Sequence, residues 1–203
     1  MVVTQLEDLE KSKVRVYIDD EYAFLLYRKD IEEFGLKEGN EIIYDVYEKI
    51  LTDTIYRRAK QKALAILKFM DRTELELRRK LSDAEYPEKI IDRTISYVIE
   101  YGYLNDERYA LAYIRARMNT KSKLVIRTEL LQKGISKDLT ERILEEEYEQ
   151  DEIGEDAEMT ALRKAIAKKT KSVEDLNMED KRKLMAALYR KGFDIGKIKQ
   201  VLK

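Results

Sequence analysis

The sequence has no cysteine and no histidine. Disulfide bonds, thiolate nucleophiles, Cys/His zinc sites and imidazole general bases are therefore excluded. Its 203 residues include one proline and seven glycines, too few for a turn-rich β fold. No apolar run approaches the roughly 20 residues that cross a bilayer. The N-terminus lacks a basic region followed by an apolar core, so no secretory signal is read there, and a soluble cytoplasmic protein is expected. Phosphate-loop chemistry has no support either, because Gly196-Lys197 lacks the upstream glycine and the following Ser/Thr that such a loop needs. No G-x-S-x-G elbow occurs. The acidic run from Glu145 to Asp156 has nothing to fix a ligand geometry and reads as a solvated helix end and linker. Neither an enzyme nor a metal or cofactor site is expected.

What the chain does contain is charge and helix formers. Charged residues make up 40% and hydrophobic residues 44%, with a mean hydropathy of −0.57. That balance leaves a real but thin core and a large surface, which fits an elongated molecule. The net charge of −1 hides strong banding. Residues 1–56 carry 7 basic and 14 acidic side chains, and residues 57–140 carry 19 and 12. Residues 141–180 carry 6 and 14, and residues 181–203 carry 8 and 1. The two basic bands permit a nucleic-acid or acidic-protein partner that the overall charge would not suggest.

The first 27 residues read as β structure. Val14, Val16 and Ile18 alternate with Arg15 and Tyr17, the period of a half-buried strand. Asp19-Asp20-Glu21 is a turn signal before Tyr22–Leu26, so a small antiparallel sheet of two or three strands is predicted. A helical turn over Asp30–Phe34 stops at Gly35, and a helix from Glu41 to about Leu51 continues or breaks near Thr52. This acidic module is too small to stand alone and is expected to pack on the helical part of the chain after it.

From Arg57 onward the pattern is helical and repeats. Residues 73–81 align with 122–130: Leu77 falls on Ile126, Arg78 on Arg127 and Leu81 on Leu130. A further step brings Asp180 onto Ser122, Leu184 onto Ile126, Leu188 onto Leu130 and Gly192 onto Gly134. Ile95, Leu144 and Leu202 repeat the apolar pattern of each third helix. The predicted helices cover about 57–70, 73–83 and 87–100, then 105–118, 122–133 and 136–149, then 155–170, 178–191 and 194–202. A cap residue (Thr73, Ser122 or Asp180) is expected at the start of each middle helix, with Thr73 and Glu76 forming a capping box. Gly102 is expected to close the third helix of the first unit, and Leu104 with Tyr109 has the spacing of a hydrophobic staple. The fold class is mainly α: an elongated array of three tandem three-helix repeats after a small N-terminal antiparallel β module. The expected domains are 1–56, 57–104, 105–150 and 151–203.

The features that carry chemistry are those of binding. Arg115, Arg117, Lys121, Lys123 and Arg127 gather around one helix-to-helix connection, with Tyr113 nearby. Lys60, Lys62, Arg79 and Lys133 form a second rank. Such groups neutralise phosphates or meet an acidic protein surface, and Tyr101, Tyr103, Tyr109 and Tyr113 can stack on bases. Against this, tyrosines at helical spacing are more often core, and Arg127 has a local ion-pair partner in Glu129.

The run Gly-Tyr-Leu-Asn-Asp at 102–106, followed by Tyr109-Ala110, Tyr113, Arg115 and Arg117, then Arg127, Glu129-Leu130 and Lys133-Gly134-Ile135, resembles the RecX family of bacterial regulatory proteins. The likeness extends upstream through Ala63-Leu64, Leu67 and Glu74-Leu75, and the N-terminal β segment is similar to that of Firmicute-type members. The sequence departs from the family pattern at Lys121-Ser122, where a glycine is usual after the lysine. Glu85 also stands where the other two units have Gly134 and Gly192. The resemblance implies three tandem three-helix repeats and a non-enzymatic modulator of the RecA recombinase. Such a protein binds in the groove of the RecA–DNA filament and inhibits ATP hydrolysis, strand exchange and co-protease activity in recombinational repair and the SOS response. Single- or double-stranded DNA would be met within the filament, no membrane is involved, and a monomer is expected. The rival expectation is a helical regulator that binds DNA directly.

Overall fold

The computed structural model describes residues 1–149 and 156–203. They form two compact units, Met1–Asn105 and Asp106–Lys203.

In the first unit, strands β1 (Val3–Asp8), β2 (Lys13–Ile18) and β3 (Glu21–Tyr27) make an antiparallel sheet in the order β1-β2-β3. Asp19 and Asp20 link β2 to β3 with φ of 50° and 67°, the paired positive values of a two-residue hairpin whose twist matches the strands. Strand alternation puts Val14, Val16, Ile18, Phe24 and Leu26 on one buried face. Ile31, Leu36, Ile42, Ile50 and Ile55 complete that core, and so do Ala59 and Ile90 from later helices. The module thus packs on its neighbour as its size requires.

Helix α1 (Arg28–Glu33) carries Asp30, which is 3% exposed. Its carboxylate takes two bonds from the Arg58 guanidinium at 2.6 and 2.9 Å and one from the Tyr27 amide at 2.8 Å. The predicted helix over 41–51 begins instead at Tyr44: α2 (Tyr44–Lys49) runs through a π-helical segment, Ile50–Tyr56, into α3 (Arg57–Phe69). Of the two outcomes expected near Thr52, the helix continues, its backbone widened there. Helices α4 (Glu74–Ser82) and α5 (Glu88–Glu100) complete the first three-helix segment around Ala63, Leu77, Leu81, Ile91, Ile95 and Val98.

The second unit holds α6 (Asp106–Arg117), α7 (Lys123–Gln132) and α8 (Lys137–Glu149), then α9 (Ala157–Ala167), α10 (Met178–Arg190) and α11 (Ile195–Leu202). All nine predicted repeat helices are found among the described residues, with ends moved by no more than three residues. The start predicted at 155 for the seventh, and the linker over 150–155, lie outside the described residues.

The repeat shows in burial. Leu77, Ile126 and Leu184 are buried at one equivalent position, Leu81, Leu130 and Leu188 at another, and Ile95, Leu144 and Leu202 at a third. Thr73 and Glu76 make the expected capping box, and Ser122 accepts from the Val125 amide. In the third segment the expectation was wrong. Asn177, not Asp180, caps α10; Asp180 is the third residue inside, its amide bonded to the Asn177 side chain at 2.9 Å. The helix therefore starts one turn earlier than the repeat register implies. Gly102 closes α5 with φ 69°, while Leu104 is buried in the first segment's core and Tyr109 borders the second's.

Glu85 keeps the backbone of the glycines it replaces. Its φ is 63°, beside 87° for Gly134 and 79° for Gly192. Two contacts to the sheet hold it: the Arg15 Nε donates to its carboxylate at 2.6 Å, and the Tyr22 hydroxyl donates to its carbonyl at 2.7 Å. Within the second unit, Ser122 Oγ donates to the Lys191 carbonyl at 2.7 Å, so the cap of α7 also satisfies the end of α10.

Candidate protein and nucleic-acid interface

Helix α6 sets Tyr109, Tyr113 and Arg117 at four-residue spacing, one above another on the same stripe. The two tyrosine rings stack with centroids 6.0 Å apart and planes 21° from parallel. The Arg117 guanidinium lies 3.7 Å from the Tyr113 centroid, a cation on the negative face of the ring. Beyond the end of α7, Lys133 brings its ammonium 5.5 Å from the Tyr109 ring and 5.7 Å from the Tyr113 ring. Just before α7, Lys121 bonds one oxygen of Glu129 at 2.5 Å, and the Tyr113 hydroxyl donates to the other at 2.8 Å.

Three cations (Arg117, Lys121 and Lys133) therefore gather around one carboxylate and its tyrosine, and all are half-buried. Burial opposes the charged form of Glu129, but the bonds from Lys121 and Tyr113 outweigh it and hold its pKa below the ordinary carboxylate value. The Tyr113 hydroxyl is pushed up by burial and by its bond to that carboxylate. The patch sets three cations around one carboxylate, next to an aromatic pair. Charge-assisted bonds to phosphate or carboxylate oxygens and stacking on a planar group are both within its chemistry.

The other predicted residues lie elsewhere. Arg115, half a turn away on α6, gives both ends of its guanidinium to Glu147 on α8, at 2.6 and 2.8 Å. Arg127 pairs with Glu141 on α8 at 2.5 Å, not with the sequence neighbour Glu129. Its repeat equivalent Arg78 reaches Asp92 on α5 at 2.7 Å across the same 14-residue separation, so this ion pair ties middle to third helix in both segments. Lys123 lies 5.1 Å from the Tyr148 ring and borders an open groove with Leu124, Arg127, Tyr189 and Phe193.

In the first unit, Lys60 sits between the Tyr56 and Tyr97 rings at 4.6 and 4.9 Å. Lys62 and Arg79 are exposed. Tyr101 and Tyr103 are exposed as well, the former with its ring 4.6 Å from Tyr97. Sequence reasoning missed Glu129 as the group that organises the patch. The spacing of Tyr109, Tyr113 and Arg117 was a usable signal, whereas the Tyr113–Glu129 contact is set by how α7 returns past α6.

Comparison with known proteins agrees with this architecture. Three family profiles match: "RecX, first three-helix domain" over residues 59–97, "RecX, second three-helix domain" over 105–144 and "RecX, third three-helix domain" over 156–202. A regulatory protein RecX of Clostridium acetobutylicum is 34% identical, the match covering 99% of this chain and 94% of that protein. One from Caldanaerobacter subterraneus subsp. tengcongensis is 32% identical, over 100% and 98%. Among solved structures, a crystal structure of regulatory protein RecX shares the fold, with a TM-score of 0.65 at 22% identity over 99% of this chain and 98% of that one. The RecX structure from Lactobacillus salivarius gives a TM-score of 0.62 at 26% identity, over 74% of this chain and 97% of that one.

Proposed function

We propose that this chain, which belongs to the RecX family of regulatory proteins, binds the RecA–DNA filament and lowers RecA's ATP hydrolysis, strand exchange and co-protease activity, without catalysing a reaction itself. The observation that carries the reading is the Tyr109–Tyr113–Arg117–Lys121–Lys133 patch. Its cations are pre-positioned on rings and on one carboxylate, which limits the side-chain entropy lost on binding. Arg117, Lys121 and Lys133 lead the proposed contact set, with Lys60, Lys62 and Arg79 contributing from the first unit. Arg115, Lys123 and Arg127 act mainly through α8 and the groove beside it. The protein works as a cytoplasmic monomer.

The test is a titration of this protein into RecA hydrolysing ATP on single-stranded DNA. The wild-type chain is expected to inhibit. Arg117→Glu with Lys133→Glu is expected to raise the half-inhibiting concentration by about tenfold or more while the helical circular dichroism is unchanged. Inhibition that is absent in the wild type, or equal in the variant, defeats the reading. The stacked tyrosines with Arg117 also favour a second reading, direct DNA binding, because a base can join such a stack. It predicts a tight, salt-sensitive gel shift on naked DNA without RecA.

A further inference from the structure

The second face of the sheet is not left to water. Lys13 and Tyr27 are cross-strand partners, and so are Arg15 and Leu25, all on the side opposite the buried valines. The Glu85 turn is fixed over this face by Arg15 and Tyr22. Between that face, α3 and the turn lies a cavity of about 360 Å³, bordered by Lys13, Leu25, Tyr27, Arg58, Lys62 and Tyr86. Its volume is at the lower end for small-ligand sites.

The lining divides by chemistry. Leu25 and the tyrosine rings offer an apolar wall with phenolic hydroxyls. Lys13, Arg58 and Lys62 supply three cations. Arg58 is held rigidly: Asp30 grips it from behind and the Tyr27 ring lies 4.9 Å from its guanidinium carbon. Asp30 uses two of its N–H groups and leaves others for a ligand. The carboxylate at the rim, Glu85, is engaged by Arg15. Neither Lys13 nor Lys62 forms one of the ion pairs among the described residues, while Lys13 is near enough to Glu85 to favour its charged form. A concave site with an apolar ring-sized wall, one fixed guanidinium and two ammoniums outside any ion pair is complementary to a planar group carrying a phosphate.

We propose that this cavity is a nucleotide site that takes one nucleoside monophosphate unit, its phosphate against Lys13, Arg58 and Lys62 and its ring against Leu25 and the tyrosines. The unit comes either as a free nucleotide or as one residue of a single strand. The site is separate from the α6–α7 patch and does not depend on the RecA reading.

The test is calorimetric titration of the full chain at low salt, without RecA, using adenosine monophosphate, adenosine, inorganic phosphate and a thymidine hexanucleotide. Adenosine monophosphate is expected to bind more tightly than either adenosine or phosphate alone. Lys62→Gln, at an exposed position, is expected to weaken it about tenfold, and Lys13→Gln with Lys62→Gln further, with melting unchanged. Competition by the hexanucleotide assigns the unit to a strand; its failure to compete assigns it to the free nucleotide. No binding of either nucleotide probe, phosphate binding as tightly as the monophosphate, or affinity lost on Arg117→Glu/Lys133→Glu but kept in the lysine variants would each overturn the site.

Discussion

Glu85 is the residue at which local preference and tertiary demand collide. A side chain in the left-handed region costs about 1–2 kcal/mol relative to the right-handed one, and glycine avoids that cost. The equivalent turns in the other segments use Gly134 and Gly192 with nearly the same φ. What the glutamate adds is a half-exposed pair with Arg15, a class of contact that contributes little. Glu85→Gly is therefore expected to raise stability by about 1 kcal/mol, and Gly134→Ala to lower it by a similar amount, as read from urea denaturation midpoints. A loss of stability in Glu85→Gly would mean that the Arg15 bridge outweighs the backbone strain.

Asp30 presents the opposite case, a buried charge that depends on its partner. Burial alone would raise its pKa, but the Arg58 bonds and the Tyr27 amide outweigh burial and lower it. A carboxylate with a depressed folded-state pKa contributes its full stability above the unfolded value and loses it as the pH falls through the folded one. Stability of the first unit should thus be flat near neutrality and decline from about pH 4 downward. In Asp30→Asn that acid-side decline should shrink. Asp30→Ala, which leaves Arg58 without its partner, should cost about 3 kcal/mol at neutral pH in thermal or urea melts.

At the scale of elements, the joint between α7 and α10 is tightly fitted around Gly192 and Ser122. A Cβ built on Gly192 would stand 2.9 Å from Ser122 Oγ and 3.3 Å from Leu124 Cβ, at a φ of 79° that L residues rarely adopt. Ser122 meanwhile caps α7 and donates to Lys191. Gly192→Ala should destabilise by about 2 kcal/mol and Ser122→Ala by about 1 kcal/mol. The double variant should fall short of their sum, because removing the hydroxyl removes the closest clash; urea denaturation of the four proteins gives that coupling directly.

The same elements show what the amino-acid order made legible. Helix ends at Thr73, Ser122 and Gly102 were readable because capping and left-handed closure are local events between residues a few positions apart. The buried leucine register was readable because three copies repeated it. The α10 cap was misassigned because Asn177 and Asp180 are both competent cap residues, and the repeat register pointed to the later one. The π-helical passage into α3 left no compositional mark. The partners of Arg115 and Arg127 were hidden for another reason: long side chains choose among several nearby carboxylates, and α8 supplies the winners. That choice divides the six candidate cations of the second unit into Arg115, Lys123 and Arg127, engaged with α8, and Arg117, Lys121 and Lys133, grouped on the tyrosine stripe.

For the whole molecule, the alternation of acidic and basic bands matters more than the net charge. A chain with net charge −1 has little long-range attraction for a polyanionic filament, so the proposed binding rests on basic patches acting at short range, within roughly a Debye length of 8 Å at physiological salt. Lys62 and Arg79 belong to the first compact unit, and Arg117 and Lys133 to the second. Each set lies in its own compact unit, so if both meet the filament their contributions to the free energy should add. Reversing either pair to glutamate should weaken inhibition of the RecA ATPase by about tenfold, and reversing both by about a hundredfold. The doubly reversed protein should also show a flatter decline of inhibition with added salt, because fewer phosphate or carboxylate contacts remain to be screened. If reversing Lys62 and Arg79 changes nothing while Arg117 and Lys133 carry the whole effect, the filament is gripped by the second unit alone. The first unit is then left for the ligand of its own cavity.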